Sequence, residues 1–291
     1  MGLKGERDGI RRIYGRVRLI RYPSPMAFKG PHARRAYLTV QHKLRAKSTA
    51  LLLSIEGGLP RIMTIWFGLA MTGCAIRIAA SPIKGVPDLS TFMPYILLVG
   101  APLVSMALAL YWFRQGDRLP QPAYRLALGG RWRDIGADEA RRHSLYGSSG
   151  VMVSLLVGML LNVPVRSLEY LAAMPALAGH VPEWLSTLRF VMTLDVVLLS
   201  SLYTIAFVAA LRRVPLFPRL LAAIWLVDIT MQLGIARAVA GTEGLPMPVA
   251  DALHALLDGN VKKVLISVCL WLPYLLLSKR VNVTFRHRVE A

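Results

Sequence analysis

Cysteine is nearly absent: the 291 residues contain two, Cys74 and Cys269, both inside apolar runs, which leaves neither a disulfide framework nor a metal-ligand spacing. Acidic residues are scarce as well, 16 Asp and Glu against 35 Lys and Arg, for a formal net charge of +19. No nucleophile elbow, phosphate-cradling glycine loop or paired-histidine zinc motif occurs. These gaps remove the usual support for a disulfide-stapled secreted domain, a metalloprotein, a hydrolase or a nucleotide-binding enzyme. A non-enzymatic chain without cofactor or metal is expected.

Charge is also missing from long stretches. Of all residues 55% are hydrophobic, and they are segregated from the basic ones, as in a polytopic membrane protein; a soluble nucleic-acid binder of this charge would mix the two. A spanning helix needs about 20 predominantly apolar residues. Six stretches qualify, near 60–81, 92–113, 147–165, 187–211, 217–239 and 261–277. The expectation is an all-α, six-helix membrane protein. Pro60 reads as a first-turn proline, and Pro94 and Pro102 as prolines inside the second span, with a kink near Pro102.

Segments 1–61, 114–146, 212–219 and 278–291 hold 28 of the 35 Lys and Arg. Six helices put all four on one side, so the positive-inside rule places both termini in the cytoplasm of a bacterial inner membrane. Lys84, Arg166, Lys262 and Lys263 fall in or beside loops of the opposite side.

Composition divides the chain into a basic cytoplasmic arm (1–56), a two-helix membrane unit (57–130), a polar cytoplasmic linker (131–146) and a four-helix membrane domain (147–286). A loose internal echo relates "GGLPRIMTIWFGLAMTGCAIRI" to "GSSGVMVSLLVGMLLNVPVRSL", which would make a parallel repeat. The arm lacks the apolar core of a cleaved signal sequence. Its interleaved basic and apolar residues suit anionic lipid at the bilayer surface; a protein partner is the alternative, and nucleic acid is disfavoured. The first ~25 residues also read as an over-long gene start.

Two aspartates interrupt the apolar runs. Counting at ~1.5 Å per residue puts Asp228 near the middle of its span, and Asp195 at nearly the same depth on the preceding antiparallel helix. An ionised carboxylate there costs at least ~2.5 kcal/mol. Each must therefore be neutral, paired or wet. No arginine is expected level with them; Gln232, Thr193 and Tyr203 are the nearest hydrogen-bonding candidates. Either the pair pins helices together, or it forms a polar intramembrane centre sharing one proton, as a carrier would need.

Arg77, Arg166, Arg189 and Arg237 are expected at the outer ends of four helices, either as an anion-gathering vestibule or as snorkelling contacts to headgroups. Asp251, His254 and Asp258 share a helical face in "VADALHALLDGN", which suits a metal or proton relay less well than an amphipathic interfacial helix. His180 stands alone.

The stretch "VCLWLPYLLLSKRVNVTFRHRV" resembles the closing signature of a bacterial domain-of-unknown-function family, number 2569 of that series, through Trp271, Pro273, Tyr274, Ser278, Lys279, Arg280, Val281, Thr284 and Phe285. The resemblance implies a four-helix inner-membrane unit over residues 147–286 and no chemistry. Physically, Trp271 and Tyr274 suit an interfacial anchor, with Lys279 and Arg280 reaching lipid phosphates. Two functions remain open: an accessory or scaffold component, and a small proton- or ion-linked transporter centred on Asp195 and Asp228.

Overall fold

The computed structural model describes residues 31–81, 86, 88–126, 131–179 and 181–291, with side chains from residue 46 onward. Most of the basic arm, Lys84 and His180 lie outside the described residues. Eight α-helices are described: α1 (Pro31–Ala79), α2 (Leu89–Trp112), α3 (Ala137–Arg142), α4 (Val151–Ala173), α5 (Glu183–Leu211), α6 (Phe217–Ala240), α7 (Met247–Leu277) and α8 (Lys279–Arg286). Six of them are long and apolar enough to cross a membrane. The protein is an all-α, multi-pass membrane protein.

The spans are longer than the sequence pattern indicates. α1 runs unbroken through Gly57, Gly58 and Pro60, so Pro60 is interior rather than first-turn, and the boundary drawn at 56/57 falls inside a helix. α7 starts at Met247, absorbing the expected outer loop as its first turns. α4 runs from Val151 to Ala173 instead of 147–165, with Pro164 inside it. This shift has a tertiary cause. The backbone N–H of Gly147 donates to Thr284 Oγ1 at 3.1 Å, Ser148 Oγ to the Ala210 carbonyl at 2.8 Å, and the N–H of Gly150 to Ser48 Oγ at 3.1 Å. Gly147 and Gly150 have φ of 105° and 75°, conformations open to glycine. The helix therefore begins late and exits late.

α5 is the central helix, packed against α2, α4 and α6, while α1 lies on α4 and α7 on α6. Two apolar cores stack along it. One, toward the basic end, gathers Leu199, Phe207, Phe217, Leu221, Leu275 and Phe285; the other gathers Tyr95, Leu98, Met174, Leu188, Met192 and Ile235. Ile65, Leu69, Ile76, Leu226 and Ile266 face outward, as lipid contact requires.

At the basic end the expected linker docks on the carboxyl tail. β1 (Trp132–Asp134) pairs antiparallel with β2 (Arg288–Glu290). α8 buries Val281, Asn282, Val283, Thr284, Phe285 and Arg286 beneath the bundle, with Phe285 5.1 Å from the Phe217 ring. Arg280, expected as an interfacial anchor, also ties the tail to the protein: its Nη1 donates to Ser149 Oγ at 2.9 Å and to the carbonyls of Leu145 and Gly147. Lys279 pairs with Glu290, again within the protein. Trp271 and Tyr274 meet edge to face at 6.0 Å in the last two turns of α7, near Pro273, and Ser278 links α7 to α8.

Candidate functional site

Between the two cores sits a buried ion cluster. Asp195 comes from the thirteenth position of the 29-residue α5, and Asp228 from the twelfth of the 24-residue α6. Arg166, sixteenth of 23 in α4, lies level with them. Its Nη1 donates to Asp195 Oδ2 at 2.8 Å, and its Nη2 to both oxygens of Asp228 at 2.8 and 2.9 Å. This corrects two expectations: an arginine does stand level with the aspartates, and Arg166 belongs to no outer vestibule. The outward shift of α4 moved it from a helix end to the helix interior.

Second partners complete the carboxylates. Tyr203 donates to Asp228 Oδ2 at 2.9 Å; Gln232 Nε2 donates to Asp195 Oδ1 at 3.0 Å and reaches Asp228 Oδ1 at 3.4 Å. Each of the four carboxylate oxygens thus accepts from a donor of the protein. Arg166 and Gln232 both bridge Asp195 and Asp228. Asp228 is 0% exposed and Asp195 4%. Thr193, the other expected partner, belongs elsewhere, paired with the Tyr170 hydroxyl at 2.9 Å.

The network continues through Asn260 and Glu169, which the sequence pattern does not mark, and through Lys263, which it places beside an outer loop. Asn260 Nδ2 donates to Gln232 Oε1 at 3.3 Å, Lys263 Nζ donates to Asn260 Oδ1 at 3.2 Å, and Lys263 pairs with Glu169. Asn260 fell just outside the span drawn from 261, and its hint was a polar residue in an otherwise amphipathic segment. These groups border a cavity of about 50 Å³ between α4 and α7, backed by Arg166 and Tyr203. Arg166 Nε and Asn162 Oδ1 are buried there without a protein partner. A polar space of that size holds water readily.

The remaining outer arginines serve separate ends. Arg77 Nε donates to the Met174 carbonyl at 3.0 Å and its Nη2 to that of Ala172 at 3.4 Å, and Arg189 Nη1 donates to the Leu177 carbonyl at 3.4 Å. Arg77 thus satisfies carbonyls at the end of α4, as a helix end requires, while Arg189 holds the loop that follows it. Arg237 is exposed on the last turn of α6. Asp251, His254 and Asp258 lie exposed along α7, Asp258 paired with Lys262 at 2.5 Å, and no group of three potential metal ligands occurs among the described residues.

No family model, curated protein or solved structure matches the chain.

Proposed function

We propose that the protein is a non-enzymatic accessory or scaffold component of a bacterial inner membrane, with both termini cytoplasmic and its basic end toward anionic lipid or a protein partner. The observation that carries this reading is the enclosure of the polar centre: Arg166 engages both Asp195 and Asp228, and apolar cores close above and below. Such a cluster fixes the mutual register of α4, α5 and α6, a known use of buried polar groups. The likeness of residues 268–286 to the family of unknown function accords with a membrane unit of no assigned chemistry. In proteoliposomes carrying an imposed pH gradient, the purified chain is expected to give no proton flux above empty vesicles. A flux abolished by Asp228→Asn would replace the proposal.

One observation favours the alternative, a proton- or ion-linked carrier: the cavity beside Arg166 places two unpartnered polar atoms next to the cluster. On that reading water there exchanges protons with Asp195 and Asp228. The same flux measurement separates the two.

A further inference from the structure

A second cavity, of about 210 Å³, lies at the basic end where α1, the turn after α2 and the α5–α6 turn meet. α1 contributes Glu56 and Leu59, and the post-α2 turn contributes Arg114, Gly116 and Asp117. Leu211, Arg212 and Arg213 close it from the end of α5. We infer that this cavity binds a phosphate group, as a free anion or as the headgroup of an anionic lipid.

Charge supports the assignment. Three arginines line the cavity against two carboxylates, a formal excess of one positive charge. Both carboxylates are already occupied: Glu56 lies 3.8 Å from Arg213, and Asp117 lies 3.3 Å from Arg141, a residue outside the lining. Arg114 and Arg212 are exposed and make no ion pair among the described residues, Arg114 standing 6.0 Å from the Tyr111 ring centroid. Arg213 Nε is a buried donor without a partner.

The walls are held in place. Arg213 adopts φ 57°, a left-handed conformation uncommon outside glycine, while its guanidinium sits 5.6 Å from the Tyr146 ring centroid. Gly116 approaches the α5–α6 turn so closely that a Cβ there would stand 2.7 Å from the Arg212 carbonyl oxygen. Arginine's planar fork matches tetrahedral oxyanions in bidentate fashion, which selects phosphate chemistry over a simple halide. The ends of α2 and α5 put the cavity where a bilayer presents its phosphates, and Leu59 and Leu211 supply the apolar margin that a lipid would need.

The test uses the full chain in uncharged detergent, titrated with inorganic phosphate in one arm and short-chain phosphatidic acid in the other. Saturable binding of either probe is expected. It should weaken about tenfold or more in Arg114→Gln/Arg212→Gln, while the charge-matched control Arg131→Gln/Arg142→Gln stays within about twofold. Success in the phosphate arm identifies a free anion as sufficient, and success with lipid alone identifies a headgroup site. Arg212→Lys keeps the charge and removes the fork, so it should weaken binding several-fold even if the glutamine pair fails to fold. Absence of saturable binding, equal loss in the control pair, or unchanged affinity in Arg212→Lys would overturn the assignment.

Discussion

Arg166→Met tests the ion cluster most directly. The side chain it removes makes three charge-assisted contacts of 2.8–2.9 Å to two carboxylates that are 4% and 0% exposed. Formal charge at the centre would go from one positive against two negative to two negatives alone. Breaking a buried ion pair by removing one partner costs roughly 3–5 kcal/mol, because the surviving charge stays desolvated. At roughly 2–4 °C per kcal/mol for a chain of this size class, the thermal midpoint in detergent should fall by roughly 6–20 °C. The triple variant Arg166→Met/Asp195→Asn/Asp228→Asn removes all three charges and keeps Tyr203 and Gln232 supplied with acceptors. It should recover most of the loss, since a neutral, well-packed replacement of a buried ion group is often no less stable. Asp228→Asn alone should lie between, because its amide would face the donors Arg166 Nη2, Tyr203 or Gln232 and forfeit about 1–3 kcal/mol. Raising the salt concentration should change none of this, buried pairs being weakly screened. A single variant Arg166→Met within about 1 kcal/mol of the parent, or a triple variant less stable than the single one, would refute the reasoning.

Gly116→Ala forces a Cβ to 2.7 Å from both the Arg212 carbonyl oxygen and Val214 Cγ2, so it should destabilise by about 1–3 kcal/mol in thermal unfolding. Burial, followed by the positive charges of Arg141 and Arg125, holds His287 below the usual imidazole range. Its folded state therefore favours the neutral ring, and stability should decline as pH falls through about 6.5, where the unfolded chain takes up a proton first. His287→Asn, which tolerates the φ of 50° found there, should flatten that decline when midpoints are compared between pH 8 and pH 5. For orientation, a cysteine replacing Glu243 in a background lacking Cys74 and Cys269 should react with an impermeant reagent outside spheroplasts, whereas one replacing Tyr124 should not; the opposite pattern would invert the topology.

The spans were legible because hydrocarbon imposes a length and an apolar composition that the chain shows locally. Asp195, Asp228, Gln232 and Tyr203 were legible too, since polar groups at that depth must find partners. Arg166 was placed wrongly for a physical reason. Pro164 and the polar residues after it look like a helix exit, while the true register of α4 is set by Thr284, Ala210 and Ser48, which lie 137, 62 and 102 residues away in sequence. Local pattern carries no trace of such contacts. Gly57, Gly58 and Pro60 misled in the same direction, breakers that neighbouring turns of α1 overrode. The contacts of Arg280 with Leu145, Gly147 and Ser149 were not legible, because they make the same demand on sequence as lipid contact, a basic residue at a helix end.

The position of the cluster bears on which function it serves. A conduit would need Asp195 and Asp228 to communicate with both ends of the bundle. Toward the basic end, Leu199, Phe207, Ile224 and Trp225 are packed at 4% exposure or less; toward the other, Met192, Val196, Ile235 and Val239 fill the same column. The cavity at Arg166 leads sideways between α4 and α7, to the pair formed by Lys263 and Glu169. Passage along the bundle would require α5 and α6 to part, breaking contacts of Tyr203, Gln232 and Arg166 together. Groups that must be broken together for any such opening act as a latch, which is what the proposed scaffold role asks of the cluster. On that proposal the basic end presents the α8 platform and the arginine-lined cavity in one constant geometry.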